Sequence, residues 1–205
     1  MVKALLTGFE AWAGHKNPSG MIARELDGKV VEGVEVVGRE LPEDFFRLPR
    51  ITSSLVEELE PDIIISMGWD YGRAIRVEKV AINVQQSDFG DKVVPDNAGN
   101  SPRGTPVLDQ GQLAYAAGLP AERVVEALRK AGIPAVLSYH AGTHCCNTVM
   151  YSFLHSISSG RRNVMSGFMH IPPLREMVKP EQPCMDFATE LEGMRIALRT
   201  CASER

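Results

Sequence analysis

Asp62-Ile63-Ile64-Ile65-Ser66-Met67-Gly68 is the stretch from which the fold can be read. Its apolar residues run consecutively instead of alternating, three of them are β-branched, and a glycine ends the run. A strand with one wet face alternates. A strand covered on both faces does not, and such strands belong to sheets with helices packed above and below. Residues 1–7 have the same character and run into Gly8. Between these two strands, Asn17-Pro18 opens a helix, with Asn17 as cap and Pro18 in the first turn, and the helix ends near Gly28. Residues 34–41 read as a strand, and residues 49–59 as a helix stopped by Pro61.

The same alternation continues toward the C-terminus. Residues 76–84 alternate as a strand, residues 120–131 form a helix stopped by Gly132 and Pro134, and residues 133–137 form an apolar strand. A helix from Cys146 to Ser158 follows, then a strand over residues 163–171 that ends at Pro172-Pro173. An amphipathic helix over residues 186–200 closes the chain. Strands alternating with helices predict one α/β domain over residues 1–205, in three layers, with a twisted, largely parallel central sheet flanked by helices. Only residues 85–119 lose the pattern. Gly, Pro, Asn and Asp recur there, and a loop of that length in a compact domain serves as a lid, a binding loop or an oligomer contact.

The 205 residues are 44% hydrophobic and 23% charged with a net charge of -4. That balance is ordinary for a globular protein and carries no basic footprint for nucleic acid or an anionic membrane. No apolar run reaches the length of a membrane span, and the N-terminus lacks the basic start and apolar core of a signal peptide. Cysteines 145, 146, 184 and 201 make no disulfide framework, two of them being adjacent. A reducing, cytoplasmic setting is the expectation.

In sheets of this kind ligands gather where loops leave the carboxyl ends of strands. Gly8-Phe9, Gly68-Trp69, Ala141-Gly142 and His170-Ile171-Pro172 all fall at or just past predicted strand ends, which places Cys146 and His170 in one neighbourhood. The stretch Ser138-Tyr139-His140-Ala141-Gly142-Thr143-His144-Cys145-Cys146-Asn147 carries the sharpest chemistry. A thiol at a helix N-terminus meets unpaired N–H groups that favour its thiolate and can hold an oxyanion formed beside it. Two other readings stand beside this one. A cysteine at a helix start is most often a small buried hydrophobe. His140, His144, Cys145 and Cys146 are also a possible ligand cluster, although adjacent cysteines chelate poorly.

Thr7-Gly8-Phe9-Glu10 with Asn17-Pro18-Ser19, Glu78-Lys79-Val80-Ala81-Ile82-Asn83, Ala141-Gly142-Thr143 with Cys146-Asn147, and Ser166-Gly167-Phe168-Met169-His170-Ile171-Pro172 occur in that order. Together with Pro95-Asp96-Asn97 they resemble the pyroglutamyl peptidase type I family of cysteine peptidases over most of the chain. The resemblance implies a cytosolic, cofactor-free exopeptidase that removes an N-terminal pyroglutamyl residue from peptides or proteins, and a homotetramer. It makes Cys146 the nucleophile, His170 the general base and Glu78 the group that orients His170. It makes Phe9 and Trp12 the aromatic walls of a lactam site, with Trp69 and Cys145 beside it and no metal.

The resemblance has gaps. The segment before Glu78 is one residue shorter than the family pattern, which calls for a bulge or a shorter turn. Trp69-Asp70-Tyr71 is bulkier than the pattern, His140 replaces a serine, and His144-Cys145 replaces an aromatic-leucine pair. The family's arginine before Pro-Asp-Asn is absent, Lys92 being the nearest cation. These changes imply, as an alternative, a relative acting on another small acyl or lactam amide. A non-catalytic protein binding a metal or ligand through His140, His144, Cys145 and Cys146 is the alternative from a different class.

Overall fold

The computed structural model describes residues 1–158, 160 and 163–205. Strand β1 (Val2–Phe9) leads to helix α1 (Pro18–Leu26), the short β2 (Val30–Val31), β3 (Val34–Leu41) and α2 (Leu48–Leu59). Strand β4 (Ile63–Trp69) is followed by β5 (Ile75–Glu78) and β6 (Val80–Ile82). The expected strand over residues 76–84 is thus two strands. The chain leaves β5 at Lys79, whose backbone bonds to Ser138 on one side and Ala117 on the other.

Residues 85–119 are not featureless. They hold β7 (Gln85–Gln86), β8 (Asp88–Phe89), β9 (Lys92–Val93), β10 (Arg103–Thr105) and β11 (Ala114–Ala116), paired as small two-stranded ribbons. Then come α3 (Ala121–Lys130), β12 (Ala135–Ser138), α4 (Cys145–Ser158), β13 (Met165–Ile171) and α5 (Phe187–Ser203).

Among the described residues the main sheet has seven strands, in the order β12-β5-β13-β4-β1-β3-β2. Four of its six pairings are parallel, while β13–β5 and β3–β2 are antiparallel. Within each strand, alternate residues serve different layers. Ile63, Ile65 and Met67 of β4, Ile75 and Val77 of β5, and Met169 and Ile171 of β13 pack with α1, α3 and α5. Ile64 and Phe168 face the opposite layer, with Val149, Tyr151 and Phe153 of α4 and Leu48 of α2. This is the three-layer α/β fold that the consecutive isoleucines predict.

Strand pairing then fixes what stands on the α4 side. His170 is opposite Gly68 on one neighbour and Arg76 on the other, and Phe168 is opposite Ser66 and Glu78. Residues directly opposite share a face, so Gly68, Arg76, Glu78 and His170 all point toward α4. β5 pairs in continuous register from Ile75 to Glu78 against Ala135 to Ser138. No bulge interrupts β5 against β12 on the way to Glu78.

Candidate active site

A cavity of about 310 Å³ opens over the carboxyl ends of β1, β4 and β13, lined by Phe9, Trp12, Trp69, His144, Cys146 and His170 among others. Phe9 ends β1, and its N–H donates to Ser19 Oγ at 3.0 Å. Ser19 Oγ donates in turn to Asn17 Oδ1 at 2.7 Å, and Asn17 caps α1 through Ser19 N. The cap residue thus also ties α1 to the end of β1. Trp12 donates from Nε1 to Pro95 O at 3.2 Å, and Asn97 Nδ2 donates to Ala11 O and Glu10 Oε1, both at 2.8 Å. Asp96 is buried and accepts from Ala98 N, Asn100 N and Phe45 N, which makes Pro95-Asp96-Asn97 a rigid strap beside the cavity.

Glu78 is fully buried, and its Oε1 lies 2.7 Å from His170 Nδ1. The same oxygen accepts from Arg76 Nε at 3.4 Å, and Arg76 Nη2 donates to Asp70 Oδ2 at 2.5 Å. Burial alone would raise the Glu78 carboxyl, but the hydrogen bond and charge of His170, with Ser138 and Arg76, hold it below its ordinary value. Asp70 follows the same pattern, burial being overcome by Arg76. An ionised Glu78 accepting from His170 Nδ1–H leaves Nε2 of that ring as the lone-pair nitrogen.

Cys146 sits in the first turn of α4 and lines the cavity. A Cβ placed on Gly68 would lie 2.8 Å from Cys146 Sγ, so the thiol packs directly over Gly68, the residue paired with His170. Asn147 fixes this end of α4. Its Nδ2 donates to Ile82 O and Val84 O at 2.8 and 2.9 Å, and its Oδ1 accepts from Ile82 N at 3.0 Å. The expectation of a depressed thiol pKa is reversed. Burial pushes Cys146 well above its ordinary value, Glu43, Asp70 and Glu78 push the same way, and Arg76 opposes them.

The sequence profile of the pyroglutamyl peptidase family matches residues 2–204. The chain belongs to the pyroglutamyl peptidase family. The family is one of cysteine peptidases. The pyrrolidone-carboxylate peptidase of Klebsiella pneumoniae is 40% identical over 202 residues, covering 97% of this chain and 92% of that one. That of Coprothermobacter proteolyticus is 38% identical and covers 98% of each. Among solved structures, pyrrolidone carboxyl peptidase from Pyrococcus furiosus superposes with a TM-score of 0.92 at 33% identity, covering 99% of each chain. The Thermococcus litoralis peptidase gives 0.92 at 32% identity, covering 99% of this chain and 94% of that one.

Of the residues expected at a pyroglutamyl peptidase site, Phe9, Trp12, Trp69, Cys146 and His170 line one cavity and Glu78 lies behind His170. Cys145 does not line it. The helix turn points its side chain into the core with Phe9, Phe45 and Val149, and it is fully buried. The proposed ligand cluster also divides. Glu43, His144 and Cys145 converge, whereas His140 and Cys146 are outside that group. Sequence reasoning missed Glu43, Asp70 and Arg76, all of which line the cavity. Arg76 was within reach, being two residues before Glu78 on an alternating strand and hence on its face. Among the described residues no helix is long and apolar enough to cross a membrane.

Proposed function

We propose that the chain is a cysteine exopeptidase that hydrolyses the amide bond after an N-terminal pyroglutamyl residue, with no cofactor. The observation that carries this reading is the buried Glu78–His170 pair, 2.7 Å apart, standing beside a thiol that packs over Gly68. In this reading His170 Nε2 takes the Cys146 proton as sulfur attacks the carbonyl carbon, because a neutral thiol needs a base at the moment of attack. The first N–H groups of α4, which have no intrahelical partner, receive the developing oxyanion. Collapse breaks the C–N bond, and the imidazolium gives its proton to the leaving amine. Water, activated by the same ring, then hydrolyses the thioester. Phe9 and Trp12 supply apolar walls for an uncharged lactam, which asks for burial and a few backbone hydrogen bonds.

The test is release of a fluorophore from a pyroglutamyl amide by wild type, Cys146→Ala and Cys145→Ala. Turnover lost in Cys146→Ala and kept in Cys145→Ala is expected. A second reading, hydrolysis of another small acyl or lactam amide, is supported by the polar walls at Glu43–His144 and Asp70–Arg76. Inactive wild type whose Cys146 is still rapidly alkylated would favour it over the first. The same reading carries a cytoplasmic homotetramer, which light scattering on the purified protein would check.

A further inference from the structure

Strand order sets the direction in which a substrate crosses the site. On the α4 side of the sheet, β1 carries Phe9 and β4 carries Gly68 with the Cys146 thiol over it. Next along the sheet, β13 carries His170, and β5 carries Arg76 and Glu78. With the lactam against Phe9, the acyl group lies on the β1 side of the sulfur. His170, which protonates the leaving amine, stands on the other side. The residue that follows the lactam therefore lies across β13 toward β5, where the ends of these strands meet it.

Asp70 occupies that position. It follows β4 directly, and its N–H donates to Ile171 O at 3.1 Å, which folds it over the end of β13 beside His170. Its Oδ2 accepts from Arg76 Nη2 at 2.5 Å and its Oδ1 from Tyr71 N at 2.6 Å. Two donors fix the carboxylate, yet 44% of the side chain is exposed, against 27% for Arg76. Each oxygen keeps a further lone pair for a ligand. Arg76 is shared between Asp70 and the buried Glu78, so one cation stands against two carboxylates. The local balance is negative while His170 is neutral. Asp70 itself stays ionised, burial being overcome by Arg76.

Aromatic surface accompanies the charge. Trp69 lines the cavity, and the exposed Tyr71 meets it edge to face, with ring centroids 5.2 Å apart. A long basic side chain suits both features: its stem and cation lie on aromatic rings while its N–H groups reach a carboxylate. An acidic side chain would meet Asp70 as a like charge. Resting on the pyroglutamyl peptidase reading, we infer that Asp70, with Tyr71 beside it, determines specificity for the residue after the lactam and selects lysine or arginine there over an acidic residue.

The experiment compares kcat/KM for the amides of pyroglutamyl-lysine, pyroglutamyl-alanine and pyroglutamyl-glutamate, the blocked C-terminus leaving the second side chain as the only difference. Expected is lysine above alanine above glutamate. Lysine should exceed alanine by roughly 3–30-fold, the range of an exposed ion pair together with an exposed cation–π contact. Raising the salt concentration should narrow that ratio in the wild type, because exposed charges are screened. Asp70→Asn should abolish the preference for lysine, Asp70→Glu should retain it, and Tyr71→Ala should reduce it. The ratio is read within each variant, so a loss of turnover common to all three substrates cancels. Equal kcat/KM for the three amides in the wild type, or a lysine preference that survives both high salt and Asp70→Asn, overturns the assignment and leaves the peptidase reading standing. A wild type that cleaves none of the three overturns that reading, and the assignment with it.

Discussion

At the residue scale, His170 can act as a base toward Cys146 only with its hydrogen on Nδ1, and Glu78 enforces that tautomer from 2.7 Å away. Glu78 is itself governed by Arg76, which shares its Oε1 and is neutralised by Asp70. Glu78→Gln keeps the shape but presents an amide that can donate to Nδ1 and stabilise the wrong tautomer. We expect kcat to fall by about 10²–10⁴ with KM little changed, the range that loss of base function or tautomer control produces. Steady-state kinetics on a pyroglutamyl amide would show it, and an unchanged kcat would remove Glu78 from the mechanism. That Cys146 and His170 share a cavity with Glu78 behind His170 was legible, because each sits inside a run of matching residues. Glu43 and Asp70 were not, because they reach the cavity from separate loops with no periodicity to give their direction. The sign of the Cys146 shift was also illegible. A helix N-terminus can be read from sequence, but burial and three surrounding carboxylates cannot.

At the scale of elements, the site depends on how closely α4 approaches β4. Gly68 leaves room for the thiol: an added Cβ would lie 2.8 Å from Cys146 Sγ and 3.0 Å from the Phe168 ring. The ring is buried and flanked by His170, with centroids 4.8 Å apart, so it has little freedom to move aside. Gly68→Ala should therefore cost about 1–3 kcal/mol in stability through overpacking. It should also shift the Cys146 thiol on the order of 1 Å, a displacement that, on the proposed mechanism, lowers turnover by about 10²-fold. Thermal unfolding and kinetics on the same sample would separate the two effects, and full activity would show that α4 can yield. Long elements were legible at this scale. The helix ending at Leu59 and the strands carrying Ile63–Ile65 and His170 stand close to where propensity and punctuation put them. The break at Lys79 was not legible, because alternation continues across it and only tertiary partners at Ser138 and Ala117 redirect the backbone. Ribbons of two or three residues within 85–119 carry too few side chains to show any period.

At the scale of the whole molecule, the strand order could not have been read from the sequence. β13, the last strand, enters the sheet between β4 and β5 and so brings His170 onto the face of Glu78, 92 residues earlier. Stability at this scale is set partly by a group remote from the site. Glu190, in the first turn of α5, is fully buried, and among the described residues neither carboxyl oxygen has a hydrogen-bond partner. Burial first, then the charges of Asp186 and Glu176, push it up to about 9. In the unfolded chain it ionises near ~4.3. Below that value both states hold the proton, and ionisation adds nothing to the balance. Between there and about 9 the unfolded state has released its proton while the folded state keeps it, so stability falls as pH rises, by about 1.4 kcal/mol per unit. At neutral pH the accumulated loss is on the order of 4 kcal/mol. Glu78 and Asp70, whose folded values are depressed, act in the opposite sense: their stabilisation is present above the ordinary carboxyl range and disappears as pH falls through their folded values. Glu190→Gln, which mimics the neutral carboxyl at every pH, should leave the melting temperature at pH 5 nearly unchanged. At pH 8, where the accumulated loss is about 5 kcal/mol, it should raise it by about 10 °C or more, given roughly 2–4 °C per kcal/mol for a chain of this size. Calorimetry at the two pH values decides it: an equal change at both would mean that Glu190 does not carry the alkaline slope.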